Sequence, residues 1–358
     1  MLYHLLYPLS GDIAFFNIFR YITVRSFAGF ILGFFIAIFW GKRFIAYMKE
    51  RQFGQSIREL GPESHKKKQG TPTMGGVFII GSIMLSSLIV GNFNSMPYLL
   101  CLIVLVSYFF LGAADDYLKI LKKNSAGVSA RGKLLWQFLT AGIVGYLMLA
   151  YEVTDSELYL PFLKAPLFNL GWLYIAFAAV VIVGSSNAVN LTDGLDGLAT
   201  GSIAISASTL GLLAYVAGHY EISSYLYVPF VDSTGELVVL VSCIVGSCIG
   251  FLWYNSNPAE VFMGDCGSLS LGGALGTIAV MTKNEFLFVL IGGIFVMEAV
   301  SVILQVASFK MTKKRIFKMA PIHHHFELKG WPEPKVIARF WIIGMILSIL
   351  AIATLKLR

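Results

Sequence analysis

The sequence predicts an all-α, polytopic integral membrane protein with about ten transmembrane helices. Hydrophobic residues make up 57% of the 358-residue chain and charged residues 13%, and the mean hydropathy is +0.74. Apolar stretches that approach the ~20 residues needed to cross a bilayer recur along its whole length. Lysine and arginine are concentrated in alternate connections between these stretches, which is typical of a membrane protein with a fixed orientation.

Ten apolar stretches account for most of the chain. They lie near 26–44, 74–91, 97–114, 134–151, 171–189, 198–217, 237–254, 268–282, 286–306 and 337–356. The eighth is short and rich in glycine, so its limits are poorly defined. Because the longest connections have only about 20 to 30 residues, we expect one membrane-embedded domain, 1–358. Its function must then reside in the loops and in the helix ends beneath them.

The basic residues predict the orientation of the chain in the membrane. Of the 27 lysines and arginines, 21 fall in or beside the connections 42–68, 115–133 and 310–339. The side that carries them is the cytoplasm, and an even number of spans then places both termini outside. The net charge of +7 is therefore a sign of topology, and we expect no nucleic-acid partner. Basic loops also suit anionic lipid headgroups and nucleotide phosphates.

Five aspartates stand at the ends of apolar stretches. They are Asp115, Asp116, Asp193, Asp196 and Asp265. The order of the spans places all five on the cytoplasmic face. A charge at membrane depth is expensive and usually marks a functional site. Clustered carboxylates on one face indicate a site for a divalent metal and for phosphates.

The first cytoplasmic loop ends in HKKKQGTPTMGG, residues 65–76. Its proline and glycines predict a rigid turn that enters a helix, with Thr73 as a plausible cap. Lys66 to Lys68 and the exposed amides of a helix N-terminus would attract anions. The alternative is a basic anchor that only fixes the orientation.

The second loop opens with GAADDYLKILKK, residues 112–123. Adjacent carboxylates repel each other, so one of them tends to gain a raised pKa or to bind a cation. In a continuing helix, Asp115 and Lys119 are i, i+4 neighbours, and Asp116 projects roughly 100° away. One aspartate would then face a metal or a basic group and the other the reactant. The alternative is a solvated helix end.

The third loop reads NAVNLTDGLDGLATG, residues 187–201. Polar residues recur there at every third position, which predicts a polar stripe along one face of a helix or tight turn: Asn187, Asn190, Asp193 and Asp196. The glycines at 194 and 197 allow close approach of a ligand to the backbone. The spacing does not follow the twelve-residue calcium loop.

The fourth loop reads WYNSNPAEVFMGDCGSLSLGG, residues 253–273. Asp265 follows Gly264 and precedes the next span, where a carboxylate can reach a metal that is held by a phosphate. Phe262 offers a flat face to a nucleobase, and base–aromatic stacking is worth ~1–3 kcal/mol. The alternative for Phe262 is an aromatic residue at the membrane interface.

The fifth loop, residues 310–335, contains three consecutive histidines beside Pro321. Three histidines can bind a metal, but in an extended run successive side chains alternate direction, so all three cannot easily reach one ion. Phosphate contacts or acid/base roles fit at least as well. Glu298, in the middle of the ninth stretch, is either functional or hydrogen-bonded to another helix. Gln305 approaches the cytoplasmic end and could reach a ligand.

The five loops together resemble a known family. TPTMGG, DDYLK, NAVNLTDGLDGLA, FMGDCGSLS and APIHHHFELKGWPE are similar to the bacterial phospho-MurNAc-pentapeptide transferases, within the polyprenyl-phosphate N-acetylhexosamine-1-phosphate transferase superfamily. The resemblance covers nearly the whole chain. It implies transfer of phospho-MurNAc-pentapeptide from UDP-MurNAc-pentapeptide to undecaprenyl phosphate, giving lipid I and UMP. It also implies Mg2+, a homodimer, and a place in the bacterial plasma (inner) membrane.

The resemblance also implies roles for individual residues. Asp265 binds Mg2+, Asp115 activates the lipid phosphate with support from Asp116, and His323 is the essential histidine. The uridine end of the donor is held by Lys68, Asn190, Asp193, Gly194, Asp196 and Phe262. Further substrate-binding residues are Thr73, Lys119, Lys133, Asn187, Asn255, Gln305, His324 and His325.

Two other classes of protein share some of these features. A transporter would also have about ten spans and glycine-broken helices, but transporter sites cluster near the membrane midplane, whereas these acids lie at loop edges. A protein with only a scaffolding role would not explain the aspartates at the helix ends. The sequence therefore favours an enzyme.

Overall fold

The computed structural model describes residues 2–51, 70–122 and 127–356, and this part of the chain is built almost entirely of α-helices. In chain order the helices are α1 (Leu2–Leu6), α2 (Ile22–Glu50), α3 (Gly76–Val90), α4 (Met96–Lys122), α5 (Ala130–Ala150), α6 (Leu173–Thr192), α7 (Leu198–Ala217), α8 (Tyr220–Leu226), α9 (Leu237–Asn255), α10 (Asp265–Met281), α11 (Glu285–Ile291), α12 (Gly293–Thr312), α13 (Ile322–Glu327) and α14 (Glu333–Ala353). The strands β1 (Glu157–Leu158) and β2 (Phe168–Asn169) form a short antiparallel pair between α5 and α6.

The all-α membrane fold is confirmed. Within the described residues, eight helical segments are long and apolar enough to cross a bilayer, judged by length and composition. Two further apolar helices, α3 with 15 residues and α10 with 17, are shorter than the ~20 residues of an average span. The count of ten spans therefore stays a prediction.

Two predicted boundaries differ from the structure. The ninth stretch, 286–306, is split between α11 and α12, because the Gly292–Gly293 pair lacks side chains that would hold a continuous helix at this point. The third stretch was expected to end near 114, but α4 continues as a helix to Lys122. Its charged last turns belong to the functional site.

Helix α10 lies at the centre of the molecule. All of its residues after Asp265 are buried, and it packs closely against α4 and α6. Glycines make this approach possible: a Cβ on Gly273 would lie 2.6 Å from the Tyr108 ring of α4, and one on Gly272 would lie 2.8 Å from the Ser185 carbonyl oxygen of α6. The first residue of α10 is therefore held where the ends of α4 and α6 meet.

A second, smaller apolar cluster fixes the fifth loop. Leu195 and Leu198 pack there with Ile294 of α12 and with residues of α14. Phe326 of the short helix α13 packs against this cluster and stacks on Trp331, with ring centroids 4.7 Å apart. The histidine segment is thereby attached to the loop that carries Asp193 and Asp196.

Candidate active site

Three carboxylates converge where α4 ends and α10 begins. One oxygen from each of Asp115, Asp116 and Asp265 lies within 4.8 Å of the other two. Gly112 permits this approach, since a Cβ on it would lie only 2.3 Å from the Asp265 carbonyl oxygen. The sequence predicted all three acids on one face, and the structure brings them into one cluster.

Two lysines form ion pairs with this cluster of three carboxylates. The Lys119 ammonium lies 2.6 Å from Asp115 Oδ2 and 3.2 Å from Asp265 Oδ2. The Lys133 ammonium lies 2.9 Å and 2.6 Å from the same two oxygens. The i, i+4 pairing of Asp115 with Lys119 is confirmed, and Lys133 reaches the cluster from the first turn of α5.

The adjacent aspartates have different partners. Asp115 Oδ1 accepts a hydrogen bond from the Val128 N–H at 2.6 Å, while its Oδ2 faces the lysines. Asp116 accepts from the backbone N–H groups of Asp265 at 3.2 Å and Cys266 at 3.0 Å. Helix α10 is preceded by Gly264, which has no side chain to cap it. Asp116 therefore supplies the cap, with the charge that a helix N-terminus favours.

The end of α6 orients Asp265. The Asn190 side-chain amide donates to Asp265 Oδ1 at 3.0 Å and to Ser268 Oγ at 2.8 Å. Asn187 instead donates to Gln137 Oε1 at 3.0 Å, and Gln137 donates to Ser186 Oγ at 3.0 Å. The predicted polar stripe thus splits, since Asn190 belongs to the carboxylate cluster and Asn187 ties α6 to α5.

Gln137 and Ser268 are site residues that the sequence analysis missed. Gln137 is fully buried in an apolar helix, one turn after Lys133. A polar residue on that face of a spanning segment is a signal that could have found it. Ser268 lies at the glycine-rich entry to the eighth stretch, where only Asp265 and Phe262 were predicted as site residues.

The third loop divides its two acids between different surroundings. Asp193 ends α6 and is half-buried. The loss of water around it, together with the nearby carboxylates of Asp265 and Asp116, raises its pKa to about 7. Asp196 is buried, and its Oδ2 accepts from Asn257 Nδ2 at 3.1 Å and from the Ala259 N–H at 3.0 Å. That carboxylate holds the third and fourth loops together.

The three histidines lie on a helix, so the premise of an extended run is wrong. Pro321 precedes the first residue of α13, where its fixed φ and missing N–H are compatible with a helix start. Successive side chains then point about 100° apart. His323 is fully buried, His324 Nδ1 lies 2.9 Å from Glu327 Oε2, and His325 Nδ1 accepts from the Lys318 N–H at 3.0 Å.

His323 is enclosed by two other elements. Its Nδ1 lies 3.1 Å from Glu298 Oε1 of α12. Its Nε2 faces Gly194 so closely that a Cβ there would lie 2.3 Å from that nitrogen. Gly194 and His323, which were predicted separately as site residues, are therefore in contact, and Glu298 has a partner that the sequence did not reveal.

Two of the predicted substrate-binding residues, Asn255 and Gln305, form hydrogen bonds within the loops. Asn255 is buried, accepts from Thr200 Oγ1 at 2.9 Å and donates to the Val261 carbonyl oxygen at 2.9 Å. Gln305 donates to the Phe317 carbonyl oxygen at 3.0 Å. In this geometry both side chains hold loop backbone in place.

The first and fourth loops pair through their backbones. The Phe262 N–H donates to the Pro72 carbonyl oxygen, and the Gly75 N–H donates to the Phe262 carbonyl oxygen, both at 2.8 Å. Thr73 lies between these bonds and is buried. The prediction that Thr73 caps α3 is wrong, because Gly75 occupies the cap position without a side-chain bond. Lys68 lies outside the described residues.

The carboxylate cluster has the donor set of a hard divalent cation. Its ligand atoms are all oxygens, and Mg2+ is bound through carboxylates, with waters and substrate phosphates completing its shell. Asp115 Oδ2 is buried, and its partners among the residues that the structure describes are the two lysines. Cationic lysines beside such a cluster suit polyphosphate, because phosphoryl transfer depends on positioning and charge neutralisation.

Comparison with known proteins identifies the class. A family model described as glycosyl transferase family 4 matches residues 98–283, which include the carboxylate cluster. A second model, phospho-N-acetylmuramoyl-pentapeptide-transferase signature 1, matches residues 68–80.

Full-length relatives define the family within that class. The chain is 54% identical over 361 residues to the phospho-N-acetylmuramoyl-pentapeptide-transferase of Desulfotalea psychrophila, and 55% identical over 358 residues to that of Citrifermentans bemidjiense. In both cases the similarity covers 100% of each chain. The chain belongs to the phospho-N-acetylmuramoyl-pentapeptide-transferase family, enzymes that are phosphoglycosyl transferases of peptidoglycan synthesis.

Proposed function

We propose that this enzyme transfers phospho-MurNAc-pentapeptide from UDP-MurNAc-pentapeptide to undecaprenyl phosphate, producing lipid I and UMP in a Mg2+-dependent reaction. The observation that carries the proposal is the convergence of Asp115, Asp116 and Asp265 with two lysines at the ends of buried membrane helices. Family membership supports the choice of substrates.

The reaction is a direct displacement at phosphorus. An oxygen of the lipid phosphate attacks the sugar-linked phosphorus of the donor, the bond from that phosphorus to the bridging oxygen breaks, and UMP leaves. Asp265, with Asp115 and Asp116 beside it, would hold Mg2+, which when bound would supply charge neutralisation for the diphosphate. Asp115 keeps the acceptor phosphate deprotonated and oriented. Lys119 and Lys133 exchange carboxylate partners for phosphate oxygens.

The donor's uridine end lies beside the third and fourth loops in this proposal. Asp193 and Gly194 face it, Phe262 stacks on the base, and Asp196 fixes the relative position of the two loops through Asn257. Lys68 and Thr73 approach it from the first loop. His323 contacts a donor phosphate, and His324 and His325 line the same face.

The setting of the enzyme follows from the positive-inside rule. We place the whole chain as one domain in the bacterial plasma (inner) membrane, with the carboxylate cluster on the cytoplasmic face and both termini outside. The family resemblance supports a homodimer.

Donor selection tests the proposal. Detergent-purified protein with undecaprenyl phosphate and Mg2+ is given UDP-MurNAc-pentapeptide or UDP-GlcNAc, and the lipid product is identified by mass spectrometry. We expect lipid I from the first donor and no product from the second. Equal turnover of both donors would refute the substrate assignment and leave the superfamily assignment standing.

A further inference from the structure

Glu298 is a buried acid that the proposed reaction does not use. It lies in α12, its side chain is completely inaccessible to water, and its own carbonyl accepts a local bond from Ser301 Oγ. Within the described part of the chain, neither carboxylate oxygen has a partner that meets hydrogen-bond geometry. Among the described residues, its ion-pair partner is His323, whose Nδ1 lies 3.1 Å from Oε1.

The burial of Glu298 determines which ring nitrogen of His323 carries the proton. A carboxylate without water is strongly destabilised unless a donor or a cation faces it. Nδ1 lies 3.1 Å from Oε1, an ion-pair contact that does not meet hydrogen-bond geometry in this conformation, so the proton that stabilises Glu298 belongs on Nδ1. In metal and catalytic sites the bond at one ring nitrogen fixes the tautomer and leaves the other nitrogen for chemistry.

The other nitrogen faces the third loop. Nε2 points at Gly194 at a distance that excludes any side chain there, and the His324 ring packs against His323 with centroids 4.1 Å apart. The His323 ring is thus held on both edges. Among the described residues, Nε2 is a buried nitrogen without a hydrogen-bond partner, and the adjoining Gly194 belongs to the loop that carries Asp193.

We propose that Glu298 is the positioning residue of His323. It holds the Nδ1 proton and the ring orientation, so that Nε2 is presented to a phosphate oxygen of the bound donor. This inference rests on the proposed function, which supplies the donor phosphate. It gives helix α12, through Glu298, a role in the site in addition to those of the loops. Glu298 itself touches no reacting atom.

Activity measurements separate positioning from a structural role. We compare Glu298→Gln, which keeps an oxygen acceptor without the charge, and Glu298→Leu, which removes the acceptor. Loss of an outer-shell partner costs roughly 10–100-fold in other sites. We expect lipid I formation to fall about tenfold in the Gln variant and about 100-fold in the Leu variant. Glu285→Gln, at the other end of the α11–α12 pair and bonded to Tyr174, is the matched buried-acid control with wild-type activity.

A double-mutant comparison decides whether Glu298 acts through His323. In the His323→Ala background, Glu298→Leu should cause no further loss of residual activity, because the group that it positions is already absent. A full additional 100-fold loss in that background would overturn the proposal. So would wild-type activity of Glu298→Leu.

The protonation of the His323 ring nitrogens can be measured without enzyme turnover. This measurement therefore tests the role of Glu298 independently of the proposed function. In protein labelled with 15N-histidine, the His323 signals are assigned by their disappearance in His323→Ala. We expect a protonated Nδ1 in the wild type and loss of that preference in Glu298→Leu. An unprotonated Nδ1 in the wild type would overturn the inference even if lipid I is made. Absence of lipid I together with a protonated Nδ1 would refute the proposed function alone.

Discussion

Asp115 and Asp116 are neighbours in the sequence, yet their carboxylates serve different groups. Asp115 faces two ammonium groups and a loop N–H. Asp116 closes the N-terminus of α10. A single negative charge at a helix N-terminus is stabilising, so the pair is not two equivalent metal ligands. This difference supports the proposal that Asp115 acts on the reactants, while Asp116 holds the backbone at Asp265 in place.

The contact between Gly194 and His323 gives a sharp test of the site. Gly194→Ala places a methyl group 2.3 Å from His323 Nε2, so the ring or the loop must move. We expect lipid I formation to fall by about 100-fold, since a shift of ~1 Å in a catalytic group has an effect of this size. The measurement is initial velocity at saturating donor and lipid.

Gly184→Ala is the matched control for that variant. Gly184 lies in α6, and a Cβ there meets nothing within 4 Å. Alanine in a helix interior is about 0.5–1 kcal/mol more favourable than glycine, so this variant should be fully active and at least as stable. Equal activity of the two variants would show that the close approach to His323 has no functional importance.

At the scale of elements, the short helix α13 makes the three histidines inequivalent. His323 is buried against Glu298, while His325 lies nearer the surface with Lys318 and Lys329. Burial of the His325 ring and these two lysines lower its pKa, which agrees with an unprotonated Nδ1 that accepts from the Lys318 N–H.

The three single alanine variants should therefore differ. His323→Ala should abolish lipid I formation with little change in melting temperature, and His325→Ala should be the mildest. Thermal unfolding and lipid I formation are measured on the same preparations. Parallel loss of melting temperature and activity in all three variants would instead show that the run is a structural element.

Local spacing explains which parts of the site were predictable. Asp115 and Lys119 lie one helical turn apart, so their pairing follows from the sequence alone. Glu298 lies in α12 and His323 in α13, and no local rule predicts the contact between their side chains. The apolar content predicted the membrane fold. The break before α12 lies at the Gly292–Gly293 pair, which hydrophobic periodicity alone does not register, and the short length of α3 does not follow from apolar content either.

At the scale of the whole molecule, the distribution of lysine and arginine predicts one orientation. Ala165, between β1 and β2, and Lys314, after α12, are both exposed and lie on opposite faces in our account. The native cysteines Cys101, Cys243, Cys248 and Cys266 are all buried, so they should give little background in thiol labelling.

Cysteine labelling in intact cells tests this orientation. A membrane-impermeant maleimide should label Ala165→Cys from outside and should label Lys314→Cys only after the inner membrane is opened. The unsubstituted protein is the control and should remain unlabelled. Labelling of Lys314→Cys in intact cells would reverse the orientation and place the carboxylate cluster on the outer face.

In the proposed reaction, the aspartate cluster acts with a divalent cation to transfer a phospho-sugar to a lipid phosphate. The most direct measurement is UMP release from UDP-MurNAc-pentapeptide and undecaprenyl phosphate, with Mg2+ and after chelation, by the wild type, Asp265→Asn and the exposed-acid control Asp232→Asn. For the wild type, we predict that UMP and lipid I form in equal amounts and only when Mg2+ is present. The Asp232→Asn control should release UMP at the wild-type rate. Asp265→Asn should be at least ~100-fold slower, as expected when charge stabilisation is removed. UMP release at the same rate without a divalent cation, or wild-type turnover by folded Asp265→Asn, would contradict the account.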